Sequence, residues 1–344
     1  MNRVRIRGLQ SFEYEHPTDR AALDYLRKIP VVPNVIDAVQ TQSNNTIRTN
    51  MLGNNVRVTE KQFPSIYRLM REACEVLDVE EPLFYLSSDP ELNAYTSCPD
   101  KPIVCISGYL LDMLDDDETL FVIGHELSHI KSRHLTYSVI GSLITMGVLQ
   151  YVLPFGGNTV EAIVRYAYCQ WERAGEYSCD RGGYLACQNF EASCKALMKI
   201  AGFSKRYMNE LNITEFIKQG EGFEDIDENQ LGKIQKIIFS HSSSSHPWTV
   251  ARVKQLLKYR ESGQYDSVLQ RMTQIDKKSD MDNLSKRVYY ESSHLPELTT
   301  ESAVVDPSIQ YKEKPTQTRI CGFCQKDTDA NNPICVNCGL SSFI

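Results

Sequence analysis

The stretch Phe121-Val-Ile-Gly-His-Glu-Leu-Ser-His-Ile-Lys-Ser-Arg-His134 decides the fold, and it contains His125-Glu126-Leu127-Ser128-His129. Residues four apart on a helix are offset by only about 40°, so His125 and His129 can present both imidazoles to one ion. Glu126 then faces the open side of that ion. This spacing is typical of zinc peptidases. A buried helix with two hydrogen-bonded histidines is the alternative that the spacing alone leaves open.

The residues around this motif favour a helix. Asp115-Asp116-Asp117-Glu118 supplies a cap and negative charge at its start. Apolar residues then recur at helical spacing and predict a buried stripe: Leu120, Phe121, Ile123, Leu127 and Ile130. We therefore expect the motif on a helix whose apolar side packs into the core.

Composition limits the class of protein. The chain has 344 residues, 42% hydrophobic and 24% charged, which is enough for one large globular domain plus a small module. A formal net charge of −7 without a long basic block makes nucleic acid an unexpected partner. No apolar run follows the basic residues Met1 to Gly8. We therefore expect no secretory signal peptide and a cytoplasmic location.

The eleven cysteines form two groups. Seven lack paired spacing and lie in apolar or helical stretches, which predicts reduced, mostly buried thiols: Cys74, Cys98, Cys105, Cys169, Cys179, Cys187 and Cys194. The other four form the pairs Cys321-Gly-Phe-Cys324 and Cys335-Val-Asn-Cys338. So short a segment cannot build a core without a metal, so these pairs predict a Cys₄ zinc ribbon. A redox dithiol is the alternative, but no βαβ pattern surrounds the pairs.

The chain divides by composition into four parts. We predict an N-terminal arm over residues 1–50 that packs on the core, a main domain over 51–274, a polar linker over 275–319 and the ribbon over 320–344. Within the main domain, Thr59-Glu-Lys-Gln62 predicts a capping box before an amphipathic helix. The runs Leu83–Ser87 and Ile103–Ser107 predict a small antiparallel or mixed sheet. The expected fold class is α+β and mainly helical.

A short stretch between the two β-like runs is a candidate edge strand. It reads Leu92-Asn93-Ala94-Tyr95-Thr96. An edge strand beside a metal cleft can pair with an extended peptide through main-chain hydrogen bonds. We therefore treat Asn93, Ala94, Tyr95 and Thr96 as a candidate substrate strand, with an ordinary hairpin as the alternative.

Residues 137–153 are uncharged for 17 residues. A bilayer span needs roughly 20 residues, and this segment also contains Ser138, Ser142, Thr145 and Gln150. We therefore expect a buried helix or a hairpin that touches a membrane surface rather than a full span. The expected location is cytoplasmic, with peripheral membrane contact through 137–153 as the open variant.

A second long helix, from about Thr159 to Gln188, offers a third metal donor. Glu172, Glu176 and Asp180 follow at intervals of four and share one face. This geometry leaves both Glu172 and Glu176 open as the donor, and a solvated acidic face is the alternative. A metzincin pattern would need a third histidine six places after His129, so His134 is one place out of register.

Taken together, these motifs resemble the gluzincin metallopeptidases of the HtpX and CAAX prenyl protease type, over residues 52–263. The resemblance rests on Arg173-Ala-Gly-Glu176-Tyr-Ser-Cys-Asp180, on Asn93 to Thr96, and on His246-Pro247-Trp-Thr-Val-Ala-Arg252. It implies that Glu176 is the third zinc ligand. It also implies that Asp180 orients a ligating histidine. Cys179 stands where this family usually has alanine.

The resemblance implies a zinc metalloendopeptidase acting in protein quality control or processing. Zinc held by His125, His129 and Glu176 would carry a water that Glu126 activates. His246 would reach the cleft either as an oxyanion donor or as a fourth ligand that keeps the enzyme latent, and a solvated loop histidine is the alternative.

We expect two zinc ions, one catalytic and one structural, and a protein or peptide substrate. The competing function is a non-catalytic zinc-stabilised scaffold that presents the ribbon to partners. Glu126 argues against a scaffold, since a non-catalytic protein has no need of that carboxylate. The ribbon's own partner is not readable from the sequence.

Overall fold

The computed structural model describes residues 3–28, 46–90, 92–145, 157–201, 205–225 and 248–276, with 318–320 and 327–329. The chain divides into two compact units, Met1–Arg287 and Val288–Ile344. In the second unit, strand Thr318–Ile320 pairs antiparallel with Asp327–Asp329. Cys321, Cys324, Cys335 and Cys338 lie outside the described residues, and the ribbon stays a prediction.

The first unit is mainly helical. Its helices are α1 (Pro17–Arg27), α2 (Pro64–Leu77), α3 (Asp116–Lys131), α4 (Leu135–Thr145), α5 (Gly157–Cys187), α6 (Phe190–Ile200), α7 (Ile213–Asp225), α8 (Thr249–Glu261) and α9 (Gln264–Asp276). Shorter helical segments cover Ser11–Glu13, Gly108–Leu111, Lys205–Glu210 and residues 46–54.

A four-stranded mixed sheet accompanies these helices. It comprises β1 (Val56–Arg57), β2 (Leu83–Ser87), β3 (Ala94–Ser97) and β4 (Ile103–Ser107), in the order β1-β2-β4-β3. Strand β2 runs parallel to β4, whereas β1 and β3 are antiparallel to their neighbours. The buried β4 reads as a continuous apolar run, as a central strand does. The predicted mixed sheet is confirmed. The strand predicted over Leu92–Thr96 lies at the edge of the sheet as Ala94–Ser97, and its antiparallel pairing with β4 also makes it one arm of the hairpin that the sequence left as the alternative.

Helix α3 carries the histidine motif through the middle of the core. Asp115 accepts a hydrogen bond from the Glu118 amide, and the Glu118 carboxylate accepts one from the Asp115 amide, which confirms the predicted cap. Every residue from Glu118 to Ser128 is buried. A helix buried on all sides belongs to the interior, so the expected single apolar stripe was too narrow. Lys199 neutralises the buried Glu118 carboxylate at 2.6 Å.

Glycines let α3 and α5 cross closely. A Cβ atom on Gly183 of α5 would lie 2.6 Å from the Phe121 carbonyl oxygen of α3, and one on Gly124 of α3 would overlap the Ala186 side chain. Such contacts exclude any larger residue. The close crossing places the faces of α3 and α5 that carry the polar side chains directly against each other.

Two predictions about local structure can be scored here. The capping box at Thr59 was wrong: Thr59 and Gln62 form a small turn, and α2 begins only at Pro64. Proline fits the first helical position because its φ is already helical. A residue there needs no backbone N–H, since that group has no partner within the helix. The seven scattered cysteines are free, and all except the half-buried Cys169 are buried, as predicted.

The uncharged segment 137–153 is described only as far as Thr145. In that part, Tyr137 accepts a hydrogen bond from Arg27 Nε at 2.8 Å and its ring packs against Trp171. Ile140 and Leu143 are buried. Residues 146–153 lie outside the described residues. Among the described helices, none has the length and apolar character needed to cross a bilayer.

Candidate metal centre

Three donor side chains converge where α3 crosses α5. His125 Nε2 and His129 Nε2 lie 3.3 Å apart, and the Glu176 carboxylate oxygens lie 3.5 Å from the first and 3.4 Å from the second. A tetrahedral zinc ion with bonds of about 2.0–2.2 Å needs donors about 3.3–3.6 Å apart. The donor set and its spacing therefore fit zinc.

The second helix contributes Glu176 rather than Glu172. Glu176 is 3% exposed, whereas Glu172, one turn earlier, is half-buried and accepts a hydrogen bond from the Tyr168 hydroxyl. Asp180 is 1% exposed. These two carboxylates are therefore not part of a solvated face, and of the two that the sequence left open as donors, Glu176 is the one that lies beside both histidines.

Asp180 holds the outer nitrogen of His125. Its Oδ1 lies 3.1 Å from His125 Nδ1, and Arg252 of α8 donates to both of its oxygens, at 2.9 and 2.7 Å. Burial alone would raise the pKa of Asp180, but the Arg252 charge and hydrogen bonds lower it below its usual value. The carboxylate is therefore ionised and accepts the Nδ1 proton, which leaves the Nε2 lone pair for a metal.

The two imidazoles differ electrostatically. Burial alone would lower the pKa of His125, but hydrogen bonds to Asp180 and Glu176 outweigh it and raise the pKa to about 9. For His129, burial dominates and lowers the pKa. A metal ion must therefore displace a proton from the His125 side of the site, since a ligating imidazole is neutral.

Glu126 lies against the edge strand. Its carboxylate is buried, and its Oε2 accepts a hydrogen bond from the Thr96 hydroxyl at 2.6 Å. The same hydroxyl lies 3.2 Å from the Glu126 carbonyl oxygen. Along the strand, the Asn93 carbonyl accepts from the Ser107 amide, Ala94 pairs with Ile106, and Tyr95 is 37% exposed. The candidate substrate strand and the candidate base are therefore in contact.

Cys179 is a competing donor. Its sulfur lies within 4.8 Å of donor atoms of both His125 and His129. Burial, followed by the charges of nearby carboxylates, raises the pKa of this thiol well above its ordinary value. A metal-ligating cysteine must be deprotonated. The Glu176 carboxylate, which lies 3.4–3.5 Å from the two histidines, needs no such deprotonation and is the candidate third donor.

Some residues near the site were given no role by the sequence analysis, and one candidate residue lies outside the described residues. Arg252 stood in a recognised motif, but nothing in the sequence indicated that it would bind Asp180. Asp19 and His134, which continue the polar cluster beyond His129, were assigned no chemistry. His246 lies outside the described residues, and its role stays a prediction.

Comparison with known proteins agrees with the geometry. The sequence profile of peptidase family M48 matches residues 60–260. The plastoglobule-localized metallopeptidase 48, chloroplastic, of Arabidopsis thaliana is 27% identical over 268 residues, 77% of each chain. A protease HtpX homolog of Polynucleobacter necessarius is 24% identical over 241 residues, 62% of this chain and 79% of that one. No solved structure matches. The profile covers more than half of the chain, including both helices of the donor cluster, and the chain belongs to peptidase family M48 as a zinc metalloprotease.

Proposed function

We propose that this protease cleaves extended polypeptide segments, with zinc held by His125, His129 and Glu176 and with Glu126 as general base. The observation that carries the proposal is the hydrogen bond from Thr96 of β3 to the Glu126 carboxylate. It joins β3, which is an edge strand among the described residues, to the side chain next to the donor cluster. A substrate bound along that edge would have its main chain beside the base.

The chain's own residues supply the acid–base chemistry. A bound zinc ion lowers the pKa of water and polarises a carbonyl group. Glu126 takes the proton of the attacking water and returns it to the leaving amine, so one carboxylate serves as base and then as acid. The Thr96 hydroxyl fixes the carboxylate's orientation. Asp180 keeps the His125 ring turned so that Nε2 faces the cleft.

The edge strand suggests which substrates are accepted. Strand β3 pairs with β4 on one side, and in the described part of the chain no strand covers its other side. Main-chain hydrogen bonds along such an edge hold an extended peptide without reading much of its sequence. Unfolded chains offer extended segments and folded ones seldom do. We therefore include protein quality control or processing in the proposal.

The test is the variant Glu126→Gln, assayed on one protein substrate in its unfolded and its folded form. We expect hydrolysis of the unfolded form to fall by at least ~10²-fold, the usual scale of acid–base catalysis, while the bound zinc is unchanged. Glu172→Gln is the matched control, because Glu172 points to Tyr168 rather than to the histidines, and it should keep activity. Equal activity in Glu126→Gln would exclude the mechanism.

The proposal extends to three features that the described residues cover only in part or not at all. The serine-rich loop Ser242–Ser245 would bring His246 to the cleft as a movable gate, either assisting turnover or holding the site latent. The segment 137–153 packs peripherally at a membrane surface or remains buried. The four terminal cysteines hold a second, structural zinc in a ribbon whose partner is open.

A further inference from the structure

The turn that ends helix α3 brings His134 back beside His129. Arg133 adopts a left-handed conformation with φ of 57°, and the His134 amide donates to the His129 carbonyl at 3.0 Å. Together with the Arg133 amide bonding to the Ile130 carbonyl, this is the Schellman motif that ends many helices. The turn reverses the chain, so the His134 ring comes to lie beside His129.

A chain of side chains then leads from His129 to the N-terminal helix. His134 Nδ1 lies 3.1 Å from His129 Nδ1, and His134 Nε2 lies 3.1 Å from Asp19 Oδ2. Asp19 sits in the first turn of α1 and is 2% exposed, and it also accepts the Ser178 hydroxyl at 2.6 Å. A Cβ on Gly175 would come within 3.2 Å of the His134 ring, so this glycine leaves room for it.

Asp19 determines which nitrogen atom of each histidine carries a proton in this series of hydrogen bonds. Burial alone would raise the pKa of Asp19, but its bond to His134 lowers the pKa, and an ionised carboxylate can only accept. His134 Nε2 therefore donates to Asp19, and in the tautomer protonated at Nε2 the Nδ1 atom offers a lone pair.

That lone pair requires a donor, and His129 Nδ1 is the atom that faces it. The proton on His129 Nδ1 then leaves His129 Nε2 as the lone pair directed at His125 and Glu176. The Cys179 thiol, 3.5 Å from the same His134 atom, is a second donor to it. This arrangement of protons satisfies the contacts of His134 with Asp19 and with His129.

We propose that Asp19 and His134 are positioning residues that fix the tautomer and orientation of His129 for zinc, which makes helix α1 part of the metal centre. The inference rests on the proposed function, because it takes His129 as a ligand. It adds residues on a different element: Asp19 lies outside the matched span 60–260. Each ligating histidine would then have its own ionised carboxylate, Asp180 directly and Asp19 through His134.

Zinc affinity of the full-length protein, measured by competition with a chromophoric chelator, tests the proposal. We expect Asp19→Ala and His134→Ala to weaken zinc binding about 10- to 100-fold, the range reported for carboxylates behind metal ligands. Ser178→Ala is the matched control: it removes the other hydrogen bond to Asp19 and leaves the proton chain intact, so it should bind zinc like the parent. Unfolding of the zinc-free variants shows whether they are folded.

Two results would overturn the proposal: parent-like affinity in both Asp19→Ala and His134→Ala, or an equal loss in Ser178→Ala, which would assign the effect to loosened packing. If the variants fail to fold, the histidine ¹⁵N shifts of the zinc-loaded parent decide. The proposal requires a proton on Nε2 of His134, and a proton on Nδ1 excludes it. Failure of the proposed function is distinguishable, because His129→Ala would then bind zinc as tightly as the parent.

Discussion

At the scale of single residues, the third metal donor is the point on which the proposed chemistry depends. Glu172, Glu176 and Cys179 all lie on α5 within two turns of each other. Glu176 contacts both histidines, Cys179 contacts His134, and Glu172 contacts Tyr168. A carboxylate is ionised at neutral pH without help, whereas this thiol is not. Substitutions of these three side chains should therefore have different effects on zinc binding.

Substituting these residues one at a time should separate them. We expect Glu176→Gln to lose the zinc of the active site, because an amide is a poor substitute for an anionic ligand. Cys179→Ala, which restores the residue usual in the family that the sequence resembles, should keep that zinc, and so should Glu172→Gln. Metal analysis after gel filtration distinguishes them. Zinc loss in Cys179→Ala with zinc retained in Glu176→Gln would reverse the assignment.

The residues that the sequence made predictable are those whose partners are close in sequence. His125, Glu126 and His129 lie within about one helical turn, so their spacing already indicates a zinc site. Asp19 bonds to His134 across 115 positions, and an acidic residue in the first turn of a helix is ordinary there. Nothing local distinguishes it. Its role depends on how α1 packs on α5, which the chain's periodicity does not encode.

At the scale of elements, the crossing of α3 and α5 holds the whole donor cluster. The approximate extent of α5 and the edge position of β3 were predicted from the sequence. The closeness of the crossing was not predictable, because a glycine inside a predicted helix can have several structural causes. In the folded protein, a side chain on Gly183 would collide with the Phe121 carbonyl oxygen, and this explains the glycine.

Gly183→Ala should therefore destabilise the protein and disturb the metal centre. The added methyl group would meet backbone rather than a flexible side chain, so one helix must shift, and overpacking of this kind costs about 1–3 kcal/mol. Urea unfolding of the zinc-free protein and zinc affinity measure the two effects. The control is Gly53→Ala in the helix over residues 46–54, where a Cβ meets no atom within 4 Å. A parent-like Gly183→Ala would show that the helices can separate freely.

At the scale of the whole molecule, the chain combines a protease unit with a second compact unit that begins at Val288. Strands Thr318–Ile320 and Asp327–Asp329 pair immediately before and after residues 321–326, which include the first cysteine pair. Two cysteine pairs at this spacing are a strong sequence signal for tetrahedral zinc. No short sequence motif in the second unit indicates what that unit binds.

The full-length protein should bind two zinc ions of unlike character. A variant with Cys321→Ser and Cys324→Ser should lose one equivalent and keep protease activity on a short peptide, because the catalytic donors belong to the first unit. Elemental analysis of reconstituted protein provides the count. One zinc per folded parent chain would refute the ribbon.

The salt bridge between Arg252 and Asp180 also bears on how the protein is made. Arg252 follows His125 by 127 positions and Asp180 by 72, and domains fold from the N-terminus as the ribosome extends them. A growing chain that already exposes both histidines and Glu176 still lacks Arg252, whose guanidinium donates two hydrogen bonds to Asp180 in the folded protein. We expect the metal site to stay incomplete until α8 has emerged. The metal site is therefore completed only late in the synthesis of the first compact unit, Met1–Arg287.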